Sequence, residues 1–281
     1  MKKAFLFTLS VLLLAACQRE SPPQKPQLVI EGWIENGDYP HVAITTSLPV
    51  VFGKEITTPE LVEHVARDAV VTVSDGEKTV QLEGQVNLGI FPPYYFTTTQ
   101  MKGEVGKTYT LRVEYQDYVA TASTTIPQPV PIENLYVDEI KDGLGTLKCC
   151  FTDPPEPGNY YRLLTKTLGE DAEYVLSVLG LVSDENLHGY TELVIFSNAR
   201  FMDIWGQPNV KEYDVLRVKL CTMDKASFDF WTDFDKTVLG ASFNMRAEGT
   251  SVYDAMIDGA KGYWVGYGVD QVKQIKVELN D

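Results

Sequence analysis

Asp233 and Asp235 flank a single residue in "WTDFDKTVLG", and a threonine and a valine follow. Two carboxylates at that spacing can carry out phosphoryl transfer. One attacks phosphorus as a nucleophile and the other protonates the leaving group. Both must converge on one phosphate, so the element that carries them decides whether the chemistry is available.

The surrounding stretch, "DKASFDFWTDFDK", has helical spacing. Asp224 suits the N-cap. Phe230 and Phe234 pair at i,i+4, Trp231 sits three before Phe234, and Asp229 and Asp233 share a face expected to meet solvent. Each helical residue turns about 100°, which sets Asp233 and Asp235 about 200° apart. They cannot reach one phosphate. The stretch matches the D-x-D-x-[TV]-[LV] signature of haloacid dehalogenase-type phosphatases. That signature also needs a strand ending at the first aspartate in a parallel α/β sheet, and residues 236–281 are too few for the rest of such a domain. The match is read as accidental.

Other chemistry is not signalled. There is no G-x-S-x-G elbow and no phosphate-binding P-loop. His41, His64 and His188 are isolated and read as ordinary surface residues. The cysteines show no C-x-x-C spacing and the histidines no H-x-x-x-H spacing, so no metal is expected. "DEN" at 184–186 and "DGLG" at 142–145 lack the frame of a calcium loop. Adjacent Cys149 and Cys150 point to opposite faces of a strand, so at most one readily reaches Cys221 in a disulfide. Otherwise all three are small buried hydrophobes. The expectation is no catalytic residue, no metal and no cofactor.

The sharpest signal is at the start. "MKKAFLFTLSVLLLAAC" combines a charged Lys2-Lys3 region, an apolar run from Phe5 to Leu14, and the lipobox Leu14-Ala15-Ala16-Cys17. The run is too short to span a bilayer as a mature helix and fits an export signal, residues 1–16, removed before Cys17. The Cys17 sulfur then carries diacylglycerol, and acylation anchors the body to a membrane at about 0.8 kcal/mol per buried methylene. Residues 17–27 form a polar, proline-rich tether of about 3 Å per residue.

Net charge is −15, and it becomes −17 once Lys2 and Lys3 leave with the signal. Phosphate contacts need basic side chains, so nucleic acid is excluded as a partner, and flat attachment of the whole body to anionic lipid is disfavoured. Hydrophobic residues make up 44% of the chain, enough for a packed core beneath an acidic surface.

The body alternates with period two. "QLVIEGWIE", "HVAITTSL", the hairpin "AVVTVSDGEKTVQL" and "GKTYTLRVEYQDYVATASTTIP" predict short antiparallel strands and an Ig- or fibronectin-like β-sandwich over residues 28–126. Gly32 is expected to mark a bulge. "TTPELVEHVARD", with Thr58 as N-cap and Pro59 at the first helical position, predicts a short helix in the loop 53–68 at the sandwich edge. Its plain role is a lid over core, and its functional role a contact loop. Pro127, Pro129 and Pro131 predict a stiff linker over 127–132. Residues 133–281 then form a second β-rich domain carrying the one aromatic helix. The fold class is mostly all-β, with two sandwich- or barrel-like domains. In "GYWVGYGV" glycines alternate with rings, which allows either a packed sheet with close backbone approach or a sugar-stacking platform of Trp264 and Tyr267, with Trp205 as a further candidate.

The order of these features resembles the Bacteroidota lipoproteins collected as number 4249 in the domain-of-unknown-function series. The lipobox, "LVIEGWIENGDYPHVAITTSLP", "DAVVTVSDGEKTVQL", "NYYRL", "VKLCTMDKASFDFWTDFD" and "GAKGYWVGYG" carry the resemblance. Met256 and Ala260 depart from it, where the pattern has asparagine and glycine. The resemblance implies an outer-membrane lipoprotein, often encoded beside a TonB-dependent, SusC-like transporter, and implies no catalytic residues. Gln18-Arg19-Glu20 holds one acid and one base, a weak match to the acidic surface-export signal of this phylum. The resulting expectation is a non-catalytic accessory of a nutrient uptake system that contacts the transporter, a glycan or another small nutrient. The alternative is a free-standing adhesin or glycan-binding module.

Overall fold

The computed structural model describes residues 26–47, 57–141, 144–187, 189–195, 210–211, 213–242 and 256–278. The expected signal, Cys17, most of the expected tether, residues 53–56, His188 and Trp205 lie outside the described residues. No described helix is long and apolar enough to cross a membrane.

The first half is a sandwich of eight strands: β1 (Leu28–Glu35), β2 (His41–Thr46), β3 (Val70–Ser74), β4 (Thr79–Gln81), β5 (Glu83–Val86), β6 (Tyr94–Thr97), β7 (Thr108–Tyr115) and β8 (Tyr118–Thr125). One sheet runs β1-β2-β6-β5 and the other β4-β3-β7-β8, the strand order of an Ig-type fold. Alternation sets the core: Leu28, Ile30, Ile34, Val71, Val73, Leu111 and Val113 all point inward. Tyr109, at the start of β7, donates from its hydroxyl to the Lys102 carbonyl and accepts from the Glu104 N–H, a tyrosine corner. Asp75 caps the β3–β4 turn, accepting from the Glu77 and Lys78 N–H groups with Gly76 at φ +90°.

The second half repeats the plan. Strands β9 (Asn134–Lys141), β10 (Leu144–Thr152), β13 (Tyr190–Ile195) and the short β14 (Val210–Lys211) form one sheet. Strands β11 (Tyr160–Thr167), β12 (Val175–Ser183), β15 (Val215–Met223) and β17 (Lys273–Lys276) form the other, in the order β12-β11-β15-β17. This is a fibronectin-type arrangement, and the chain is mostly β with Ig- and fibronectin-like sandwiches. Cys149 sits in this second core and Cys150 faces the opposite side, as alternation requires. Cys221 lies in a third cluster, and all three thiols are free.

Residues 127–132 connect β8 to β9, between the strands of the two sandwiches. Between β15 and β17 the chain inserts helix α2 (Lys225–Ser242) and strand β16 (Lys261–Val269), the shorter helix α1 (Thr58–Glu63) lying in the first half. Strand β16 leaves the second half and pairs in parallel with β1 from Val29↔Lys261 to Glu35↔Tyr267. It touches β15 through two residue pairs, so a single sheet crosses both halves. The unit drawn over 133–281 therefore lends a strand to the one drawn over 28–126.

The glycines of β16 follow from period two. Trp264 points into the first core, fully buried, and its indole N–H donates to the Tyr109 carbonyl at 2.9 Å. Gly262, Gly266 and Gly268 share that face. A side chain at Gly262 (φ +109°) would meet the Ile30 carbonyl at 1.9 Å, and one at Gly268 the Pro127 carbonyl at 2.4 Å. Gly32 marks no bulge, since the β1–β2 register is unbroken. It clears space for the indole, because a Cβ there would lie 2.9 Å from Trp264 Cε3. The cap of α1 is Thr57, one residue before the expected Thr58: its N–H donates to the Glu60 carboxylate at 2.9 Å. The segment after it covers core with buried Val65, Ala66 and Ala69.

Replacing Trp264 by alanine is expected to destabilise the chain by about 3–5 kcal/mol. Urea denaturation followed by circular dichroism measures it.

Candidate functional site

The aspartates that opened the sequence part company. Asp224 caps α2, its Oδ1 accepting from the Ser227 N–H and hydroxyl. Its Oδ2 accepts from the Thr124 hydroxyl and the Thr125 N–H on β8, so one carboxylate fixes the helix to the first sandwich. Asp229 and Asp233 face solvent beside Lys225 and Lys236. Asp235 turns inward and grips Arg162 with both oxygens at 2.6 and 3.1 Å. The Arg162 side chain is 2% exposed and lies over the Trp231 ring. Two aspartates with opposite destinations cannot form a phosphoryl-transfer pair, which the helical spacing had implied.

The helix packs against β16 and against β11 and β12 of the second half. There the odd residues of β16, Tyr263 and Tyr267, meet Phe230 and Trp231. The Trp231 indole N–H donates to the Tyr267 hydroxyl at 3.0 Å. Beside this roof a cleft of about 590 Å³ opens between the two halves. Its floor is a stack of three rings on adjacent strands. Trp33 and His41 are directly opposite in register and stack at 4.1 Å, and His41 stacks on Tyr95 at 4.2 Å. Tyr174 and Tyr263 stand at the sides.

One ion pair crosses the cleft. Lys219 on β15 donates to both oxygens of Glu35 on β1 at 2.7 and 2.8 Å, each side chain 12% exposed. Burial works against the lysine charge, but Glu35 more than offsets it and its pKa rises. Lys219 also sits 4.4 Å from the Tyr174 ring centroid. Asp38 and Glu173 add carboxylates at the rim, and Gln85 and Thr97–Thr99 add neutral hydrogen-bonding groups.

Sequence reasoning found part of this. Trp264 is core and offers no surface ring, while Tyr267 lies at the base of the cleft as a buried wall. His41 is no ordinary surface residue but the middle of a ring stack. His64 bonds the Thr46 hydroxyl at 2.8 Å. Asp184 accepts from the Asn159 N–H at 3.0 Å and from the Gly158 N–H, a structural turn. Among the described residues no group of three or more His, Cys, Asp or Glu is placed to hold a metal. The missed residues, Trp33, Tyr95, Tyr174 and Lys219, come from four different strands or loops. The one local signal was that Trp33 and Glu35 occupy the positions of β1 that alternate away from its core residues.

A family model described as a domain of unknown function, DUF4249, matches residues 18–253. The chain belongs to that family. A comparison with curated proteins gave no match. Among solved structures the DUF4249 chain is similar to a cytokine receptor complex (TM-score 0.27, 7% identity, 90% of this chain and 97% of the other). It is also similar to a segment of two fibronectin type III domains from chicken tenascin (TM-score 0.24, 9% identity, 91% of this chain and 100% of the other). Likeness at this level carries no argument about function. The matched family region ends before β16, so Tyr263 and Tyr267 lie beyond it.

Two outcomes follow from the site. Asp235→Ala leaves a buried guanidinium unpaired and is expected to cost about 3–5 kcal/mol, whereas Asp233→Ala stays within about 0.5 kcal/mol, both read by urea denaturation. Burial lowers the His41 pKa from its ordinary 6.5 to about 4, against a smaller opposing pull from Asp38. In that window the unfolded chain binds a proton that the folded chain refuses. Stability is therefore expected to fall as pH drops from about 6.5 to about 4, and His41→Asn to flatten that slope. Melting temperature against pH checks it.

Proposed function

We propose that this chain is a lipid-anchored, non-catalytic binding protein of the outer membrane, held beside a TonB-dependent transporter, whose cleft takes a small saccharide-like nutrient. The observation that carries the binding is the cleft itself. Its volume suits a ligand of one or two sugar rings. Aromatic rings give the cleft apolar walls for the C–H groups of a sugar, and carboxylate, amide and threonine groups around them satisfy hydroxyls. An anion fits poorly, because Glu35, Asp38 and Glu173 line the cleft against Lys219, which Glu35 already holds.

The anchor rests on the lipobox ending at Cys17, and the transporter on the company that the family keeps. Anchoring confines the cleft near a barrel and raises its effective concentration there. Three of the charged groups of the cleft are engaged within the protein: Glu35 with Lys219, and Asp38 with the Tyr39 N–H. A free-standing glycan-binding module would use the same cleft and differ in having no barrel partner.

Titration calorimetry against a panel of neutral mono- and disaccharides tests the ligand. Binding is expected to weaken about tenfold in Trp33→Ala, the worth of one ring contact of about 1.4 kcal/mol. Absence of heat for every sugar sinks the ligand class. Purification of the lipidated protein from detergent-solubilised outer membranes tests the partner, with a co-purifying SusC-like barrel expected. Recovery of the protein alone, with the barrel present in the input, moves the reading to the free-standing module.

A further inference from the structure

One apolar feature is used neither by the core nor by the cleft. In the hairpin between β5 and β6, Val86 is 68% exposed, Leu88 87% and Phe91 54%. No charged residue occurs from Gly84 to Met101, in a chain with 39 acidic and 24 basic residues. Exposed large hydrophobics elsewhere among the described residues are scattered singly, which is normal, whereas three in one uncharged hairpin mark a contact surface.

The register says which end of the molecule this hairpin occupies. Leu28 pairs with Thr46, and Trp33 with His41, so the start of β1 and the end of β2 share a pole. Strand β6 is antiparallel to β2 with Phe96 opposite Val42, which sends Tyr94 and the loop before it toward that pole. Val86 pairs with Tyr94 and lies there too. The chain enters β1 at the same place, where the Tyr118 hydroxyl donates to the Pro26 carbonyl and the Gln27 N–H to the Ser47 hydroxyl. The cleft residues Glu35 and Asp38, and the Gly103–Gly106 turn, belong to the opposite pole.

We infer that the hairpin tip, Val86 to Phe91, is a membrane-contact element that dips into the lipid headgroup region and orients the body with its cleft away from the bilayer. The inference rests on the anchor reading above. Between Cys17 and Pro26 lie eight residues, a reach of about 25–30 Å at about 3 Å each, so the pole that receives the tether is held next to the surface. Three apolar side chains are too few to hold a protein on a membrane alone, but a tethered hairpin acts at high effective concentration. Its lack of charge spares it the repulsion that the acidic body meets at anionic lipid.

Site-specific labelling tests it. Leu88→Cys in the lipidated full chain takes an environment-sensitive nitrobenzoxadiazole dye at that position, since Cys149, Cys150 and Cys221 are fully buried. Val105→Cys labels the opposite pole as a control. In vesicles of phosphatidylethanolamine and phosphatidylglycerol containing doxyl lipid, the dye at 88 is expected to shift blue and lose emission, and the dye at 105 to do neither. Flotation of the same samples, with Cys17→Ser alongside, reports the anchor separately. If the protein floats and the dye at 88 stays as wet as that at 105, the inference is overturned and the anchor stands. If the lipidated chain floats no better than Cys17→Ser, the anchor reading falls and takes the inference with it. A blue shift that needs added outer-membrane protein, without quenching by doxyl lipid, assigns the hairpin to a protein partner and also overturns it.

Discussion

Strand β16 has to lie in parallel against β1 while its inward face fits between two packed sheets, and that demand organises the rest of the chain. The parallel partner, β1, lies more than two hundred residues earlier, while β15, the preceding strand, is an antiparallel neighbour separated from β16 by α2 and the residues after it. The inward face can carry one bulky group, Trp264, and must otherwise be bare, because carbonyls of β1 and of the linker press against Gly262 and Gly268. Burying an indole contributes several kcal/mol, which is enough to hold a strand that arrives from far away in sequence. Asn36 secures its end, accepting from the Val269 N–H at 2.6 Å and donating to the Val269 carbonyl at 3.0 Å.

Once β16 is in place, its outward face and α2 define the junction between the sandwiches. Three polar ties cross or brace that junction: Asp224 to β8, Lys219 to Glu35, and Arg162 to Asp235. Buried pairs of this kind add little net stability compared with apolar packing, because desolvation offsets their attraction. What they do is demand geometry. A lysine that must meet Glu35 and an arginine that must meet Asp235 set the angle at which the second sandwich stands, and the cleft walls follow from that angle. The stacked floor of Trp33, His41 and Tyr95 belongs to one sheet and needs no such help.

The local grammar of the chain was legible. Alternation located most strands, Asp75-Gly76 located a hairpin, and aromatic spacing with Asp224 located α2 and its cap. The separation of Asp233 from Asp235 followed from helical rotation alone. What could not be read was long-range. Nothing near Gly32 says that a tryptophan more than two hundred residues later will lie over it, so its absent side chain looked like a bulge. Whether Trp264 belonged to core or to a platform stayed open for the same reason, since a ring beside glycines can face core or solvent. The cleft gathers residues from β1, β2, β6, β15 and β16, and no window of sequence contains them.

The return of β16 also bears on the order of events as the chain is made. The first sandwich has all eight of its own strands by Thr125, yet its core lacks the Trp264 indole until Lys261–Val269 arrives. A chain emerging N-terminus first thus has a half-closed sandwich that waits for its last strand. Truncation within β16 would accordingly injure the first sandwich, the part of the chain farthest from the cut in sequence.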